Sequence, residues 1–252
     1  MDSFRLVPND VAIGGMFWWP SKPSTTLTRV GSQEQPDPDI QIVLTRHIGT
    51  TGQPDARYTA VELACDIYSA SVTEGNINHP GFMLKMIDSH SQLGSPFLAK
   101  DFPREAHYYT LAKEVQCIPR FFGLFTSGTL SCLVFEDPGR ELTARESQSK
   151  RVMWVRHETS ADCRDEAVRA FNAFEERNTG VAPRISCGTI RRGRDGRIKF
   201  SSLWGSSTRD EYTPEYMKTV HECGGDLENI TPEELFQNSL DANLYHLKRQ
   251  FR

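Results

Sequence analysis

The sequence predicts an α+β protein in which a sheet-rich stretch with one main helix precedes a smaller, mainly helical stretch. Three observations point that way. Between Ile40 and Glu136, runs rich in β-branched and aromatic residues alternate with turns that carry glycine. From Ser160 to Glu176, apolar residues recur at spacings of three and four, the period of a helix buried on one side. At Thr231, Thr-Pro-Glu-Glu combines an N-cap, a first-turn proline and a capping box.

Taken in order, residues 1–39 form a leader that is expected to be partly flexible. It holds the cluster Met16-Phe17-Trp18-Trp19, and Pro20, Pro23, Pro36 and Pro38 then interrupt any regular ladder. Trp18 and Trp19 either dock on their own protein or anchor a partner chain, since exposed tryptophan is costly and common at binding hot spots. IQIVLT from Ile40 reads as a strand, HIGTTGQPDAR as a turn, and YTAVELACDIYSASV as one long or two short strands. After the turn EGNINHPG, FMLKMI forms a further strand with Lys85 in its middle. Residues 101–115 read as a helix, with Asp101 as cap and Pro103 in the first turn. Two strands follow, joined at Thr126-Ser127-Gly128. Beyond Pro138-Gly139 come the helix 160–176, a hairpin made of IRR, GRDG and RIKF, and a closing helix with Leu235, Phe236, Leu240, Leu244, Leu247 and Phe251 on its apolar side.

Composition narrows the function classes. At 252 residues the chain can bury a substantial core. A net charge of −4 lacks the basic footprint of a nucleic-acid binder. No run approaches the ~18 apolar residues of a membrane span, and the first twenty residues do not read as a secretion signal. Neither nucleic acid nor membrane is therefore an expected partner. The six cysteines, at 65, 117, 132, 163, 187 and 223, are widely and irregularly spaced and include no CxxC pair. They read as reduced, mostly buried thiols of a cytoplasmic or nuclear protein, with a disulfide or a reactive thiol as the alternative. No metal site is expected, because the histidines do not cluster with them at ligand spacing.

Three segments share an order with a known family. MLKMI around Lys85, FPREAHYYTL around Glu105, and IPRFFGLF followed by CLVFEDPGREL resemble the small lobe of the protein-kinase-like superfamily, most like the compact kinase-like proteins common in fungi. The resemblance implies a two-lobed protein-kinase-like fold. An antiparallel-sheet small lobe at 40–138 would pack on a reduced, mainly helical large lobe at 139–252. It further implies that Lys85 and Glu105 stand where a lysine and a helix glutamate pair to hold nucleotide phosphates. Glu136 and Asp137 would mark the crossing between lobes. Read from the residues alone, Lys85 and Glu105 are either unconnected or a bracing ion pair. Gly49 and Gly52 match the family's glycine loop only in part and fit an ordinary hairpin turn as well.

The catalytic positions depart from the family. Registered on Gly180-Val181 and on residues 195–200, Arg184 stands at the catalytic aspartate, Thr189 at the asparagine and Ser202 at the metal-binding aspartate. Neutral hydroxyls are poor magnesium ligands, and arginine accepts no proton in the working range. The resemblance thus implies a pseudokinase with an ATP-binding-like cleft and no phosphoryl transfer. Too few residues follow Gly205 for a full large lobe.

The leading expectation is a protein that acts by binding, as scaffold or allosteric partner of another protein. Lys85, Glu105, Glu136, Asp137 and Arg184 are its nucleotide-binding candidates. No cofactor is certain; ATP without magnesium is the candidate, because Arg184 and Lys85 could offset phosphate charge themselves. The alternatives are a nucleotide sensor and an enzyme of other chemistry using Lys85, Glu105, Arg184, Cys187 and His107. No paired base and nucleophile is visible in the sequence for the latter.

Overall fold

Strands with alternating apolar residues recur through the described part of the chain before Pro138, and the structure shows how they satisfy their edges. The computed structural model describes residues 1–7, 24–32, 40–51, 65–74, 77–88, 96–142, 148–150, 156–158, 161–185, 189–222 and 230–251. They group into two compact units, Met1–Ala106 with Arg120–Asp137, and His107–Pro119 with Pro138–Arg252.

The first unit is a closed barrel. Its strands are β1 (Ser3–Val7), β2 (Thr25–Arg29), β3 (Ile40–Thr51), β4 (Cys65–Glu74), β5 (Ile77–Asp88), β6 (Phe121–Ser127) and β7 (Leu130–Glu136). They bond in the cyclic order β1-β2-β6-β7-β5-β4-β3. Alternation sets the inward face: Phe4 and Leu6 of β1, Ile42 and Leu44 of β3, and Tyr68, Ala70 and Val72 of β4 are buried two apart. Phe4 meets Phe125 of β6 edge to face, with ring centroids 4.9 Å apart. β5 differs, because every residue from Met83 to Asp88 is buried and both of its faces are covered. Register shifts interrupt β3 against β4, β4 against β5 and β6 against β7. Such bulges bend strands, as a sheet needs when it curls shut.

Closure depends on β1. It pairs antiparallel with β2, Ser3 opposite Thr28 through Leu6 opposite Thr25. Along its other edge it runs parallel to β3, with Arg5, Leu6 and Val7 opposite Gln41, Ile42 and Val43.

This arrangement corrects the expected fold class. A closed, mixed seven-stranded barrel replaces the two-lobed protein-kinase-like fold with its antiparallel-sheet small lobe. The superfamily resemblance falls with it, and so do the pseudokinase reading and the ATP-binding-like cleft that it implied. The physical reason lies before Ile40, in the stretch read as a leader. Thr25–Arg29 carries a single large apolar residue, Leu27, so its alternation is too weak to read as a strand. The parallel β1–β3 contact joins residues far apart in sequence and leaves no local mark.

Helix α1 (Pro96–Leu111) spans the boundary between the units. It starts before Asp101, so Asp101 is not its cap, and Pro103 lies inside it. Being past the first turn, Pro103 has no N–H to give the Ala99 carbonyl, a lost bond that costs an interior helix position about 3 kcal/mol.

In the second unit, short strands β8 (Arg140–Glu141), β9 (Gln148–Lys150), β10 (Arg156–Glu158) and β11 (Val181–Ala182) interleave with helix α2 (Ala161–Glu176). Cys163, Ala167, Phe171 and Phe174 form the buried stripe of α2. Strands β12 (Ile190–Arg192) and β13 (Ile198–Phe200) make the expected hairpin, and β8 adds a third strand to it. Gly139 precedes β8 at φ +98°, and a Cβ there would stand 2.1 Å from the Arg192 carbonyl oxygen, so only glycine fits. Strand β14 (Ser207–Thr208) pairs with β11, and a 3-10 turn at Arg209–Glu211 leads to helix α3 (Pro214–Glu222).

Helix α4 (Pro232–Gln250) starts where its signature places it: Thr231 Oγ1 accepts from the Glu234 N–H at 3.2 Å, and the Glu234 carboxylate accepts from the Thr231 N–H at 2.7 Å. Phe236, Leu240, Leu247 and Phe251 are buried. Because α4 supplies core and not merely a tail, a chain ending at Ile230 is expected to lose soluble expression. Leu247→Ala should lower the unfolding free energy by about 2–5 kcal/mol, read by urea titration. An unchanged midpoint would contradict this placement of the helix.

Candidate functional site

Lys85 sits in the strand that is covered on both faces, so its ammonium cannot reach water and must be met internally. Glu105 of α1 meets it, with 2.6 Å between Lys85 Nζ and Glu105 Oε2 and both side chains at most 2% exposed. Phe102, three residues earlier on the same helix face, presents its ring 5.9 Å from Nζ. Burial pushes the carboxyl of nearby Asp101 up, Arg104 pulls it down, Glu105 raises it and Lys85 lowers it. Both members of the Lys85–Glu105 pair are committed to each other.

The other sequence candidates are placed elsewhere. Glu136 is exposed at the end of β7, and its N–H donates to the Arg120 carbonyl at 2.8 Å. The Asp137 N–H donates to the Gly81 carbonyl at 2.6 Å. In the second unit Arg184 is exposed and its N–H donates to Ser206 Oγ at 3.0 Å. The Thr189 carbonyl accepts from the Ser201 N–H at 2.8 Å, and Ser202 is buried with its hydroxyl oxygen accepting from the Trp204 N–H at 3.2 Å. His107 is exposed on α1. Trp18, Trp19, Gly52 and Cys187 lie outside the described residues, whereas Gly49 falls within β3. Among the described residues no group of three or more His, Cys, Asp or Glu could hold a metal ion, and no helix is long and apolar enough to cross a membrane.

A feature that sequence reasoning missed lies wholly within the second unit. A groove of about 500 Å³ runs between α2, the segment Val115–Gln116–Cys117 and the β12–β13 hairpin. Its walls are held by hydrogen bonds. The Cys117 thiol donates to the Ala170 carbonyl at 3.3 Å, the Phe200 N–H donates to the Cys117 carbonyl at 2.8 Å, and Lys199 Nζ donates to the Gln116 carbonyl at 2.6 Å. Burial pushes the Cys117 thiol up to about 12, so it stays neutral near pH 7. Glu166 anchors the hairpin by accepting from the Ile198 N–H at 2.8 Å and by pairing with Arg192.

The groove's floor is low because Ala170 and Ala173 face it from α2. Exposed Arg169 precedes Ala173 by one turn on that helix, exposed Arg177 directly follows the helix's last residue, and exposed Arg197 faces them from the hairpin, where its guanidinium donates to Gln116 Oε1 at 2.7 Å. Among the described residues Arg169 and Arg177 carry no ion pair. Glu166 is neutralised by Arg192, Glu176 lines the groove as well, and the Asp195 carboxylate lies beside Arg197, accepting its backbone N–H at 3.0 Å. The sequence does hold a signal for this: Arg169, Ala173 and Arg177 recur every four residues, a small residue between two cations on the solvent side of a helix.

A scan against protein-family models finds no match to this chain, and neither does a search of curated proteins.

The buried pair makes a sharp stability prediction. Removing one partner leaves a lone charge in the interior, so Lys85→Met should cost about 3–5 kcal/mol. Lys85→Met combined with Glu105→Leu should recover most of that loss, since neither charge then remains. Urea denaturation of the four proteins in the cycle checks both statements. A single variant as stable as the wild type would show that the pair is not closed in solution.

Proposed function

We propose that this chain acts by binding another protein, as a scaffold or allosteric partner, and not by catalysis. The observation that carries this reading is the groove of the second unit: an open trough with a small-residue floor and arginines at its rim. Arginine is enriched at protein interfaces because its planar fork bonds carboxylates and carbonyls in defined directions. A groove of this size admits a few side chains of a partner segment. The other charged group of interest, the Lys85–Glu105 pair, favours the same reading. Each of its charges is already satisfied, and a buried ammonium held 2.6 Å from a carboxylate has no free lone pair for nucleophilic work.

The experiment compares the wild-type chain with Ala173→Trp, which fills the floor of the groove. Chemical cross-linking in cells of the source organism, followed by quantitative identification of the cross-linked chains, is expected to give a partner that the substitution removes. Because Ala173 is half-buried at the groove floor, the melting temperatures of the two proteins are compared as well, and a loss of partner counts only where the substituted protein keeps the wild-type fold. Calorimetry with ATP, in EDTA and then in magnesium, accompanies it. Magnesium-dependent ATP turnover, or a partner set unchanged by Ala173→Trp, would overturn the proposal. Heat from ATP in EDTA would transfer support to the nucleotide-sensor alternative.

A further inference from the structure

Resting on the reading of the groove as a protein contact, we propose its occupant: an extended acidic segment whose two carboxylates flank a central apolar side chain. The argument is one of spacing and charge. Successive helical residues rise about 1.5 Å, and Arg177, one residue past α2, still bonds the Ala173 carbonyl through its N–H at 3.1 Å, so Arg169 and Arg177 lie roughly 12 Å apart along the axis of α2 with Ala173 midway. An extended chain rises about 3.3 Å per residue and turns every second side chain to the same face. Residues two apart are then roughly 6.6 Å distant, and residues four apart roughly 13 Å. Acidic residues at the first and fifth positions of such a segment therefore come opposite Arg169 and Arg177. The third position comes over Ala173.

The chemistry at each point agrees with that match. Ala170 and Ala173 leave space above the helix, and Ile198 and Cys117 beside them are buried, so the floor accepts an apolar side chain. Arg169 and Arg177 are exposed and hold no internal carboxylate, so neither must give up a partner to accept one. The Arg197 guanidinium donates to the neutral Gln116 amide oxygen and can exchange it for a carboxylate, which makes a stronger bond, while its backbone N–H stays on Asp195 Oδ1 at 3.0 Å. Glu176 sits beside Arg177 and opposes anions at that end. Glu176, and Asp195 beside Arg197 but shared with Lys199, oppose three arginines and still leave the rim positive, in a chain whose net charge is −4. A basic rim on an acidic protein selects acidic partners by steering and by rejecting basic ones.

The test uses the full chain and three labelled synthetic peptides read by fluorescence anisotropy: Glu-Ser-Leu-Ser-Glu, its Lys-Ser-Leu-Ser-Lys counterpart, and Glu-Glu-Leu-Ser-Ser, each flanked by glycine. The first should bind, and the second should not. The third keeps the charge but loses the spacing, and should bind roughly tenfold more weakly, the loss of one charge-assisted contact. Arg169→Glu with Arg177→Glu should abolish binding of the first peptide and create binding of the lysine peptide. Raising the salt from 0.05 to about 0.5 M should weaken the wild-type interaction, since exposed charges are screened. Equal binding of the acidic and lysine peptides, or an acidic peptide indifferent to the double substitution, overturns the inference. An unbiased display library separates this failure from that of the wider reading. Selected peptides of other composition that Ala173→Trp blocks leave the groove a protein contact with a different occupant. A library yielding nothing sensitive to Ala173→Trp overturns both.

Discussion

The short strand β1 is the constraint on which the first unit depends. The other six strands form a continuous ribbon from β2 through β6, β7, β5 and β4 to β3. That ribbon would end in two open edges, each a row of unpaired backbone groups that invites another chain. β1 occupies both edges at once, antiparallel to β2 and parallel to β3. Only a strongly curved ribbon can bring its ends within reach of one strand, and the register shifts along β3, β4 and β6 supply that curvature. Phe4 and Leu6 then project from β1 into the apolar interior, so closing the edges and filling the core are the same event.

Closure has a consequence for charge. β5 lies opposite β1 in the ring, flanked by β4 and β7, with no edge of its own. Residues from Met83 to Asp88 are all buried, so a lysine in this strand finds neither a free edge nor a solvent face. Glu105 is the answer to that problem, and Phe102 seals the pair on the helix side. Such pairs often contribute little net stability against a well-packed apolar alternative, yet are costly to break in half. The value of this one lies in position: it fixes which face of α1 is presented to β5.

How much of this was legible depended on where the signal was local. The hairpin around residues 193–197 could be read because its strands alternate and its turn residues are distinctive, with Gly196 at φ +76°. The start of α4 could be read because Thr231, Pro232 and Glu234 each do a known job within one turn. Lys85 and Glu105 were singled out together, and the structure joins them, although the fold that suggested the pairing is not the one observed. Barrel closure was illegible, since a parallel contact between residues 5–7 and 41–43 leaves no periodicity behind. The strand Thr25–Arg29 hid in a stretch of Ser, Thr and Pro, with Leu27 as its only large apolar residue. The groove was illegible for another reason. Its α2 wall has a pattern, but the opposite wall, residues 115–117 and Arg197, comes from distant parts of the chain.

The most direct test of this account is amide hydrogen exchange at the junction of β1 and β3, followed residue by residue by NMR under native conditions. A closed barrel predicts that backbone amides of Arg5–Val7 and Gln41–Val43 that bond across this junction exchange slowly. Their opening free energies should approach those of central strands such as β5 and β7, because the junction can open only when the barrel does. Exchange of the Arg5–Val7 amides at the rate of an unstructured peptide, with β5 and β7 still protected, would contradict it and leave an open, edge-bearing sheet in place of the barrel.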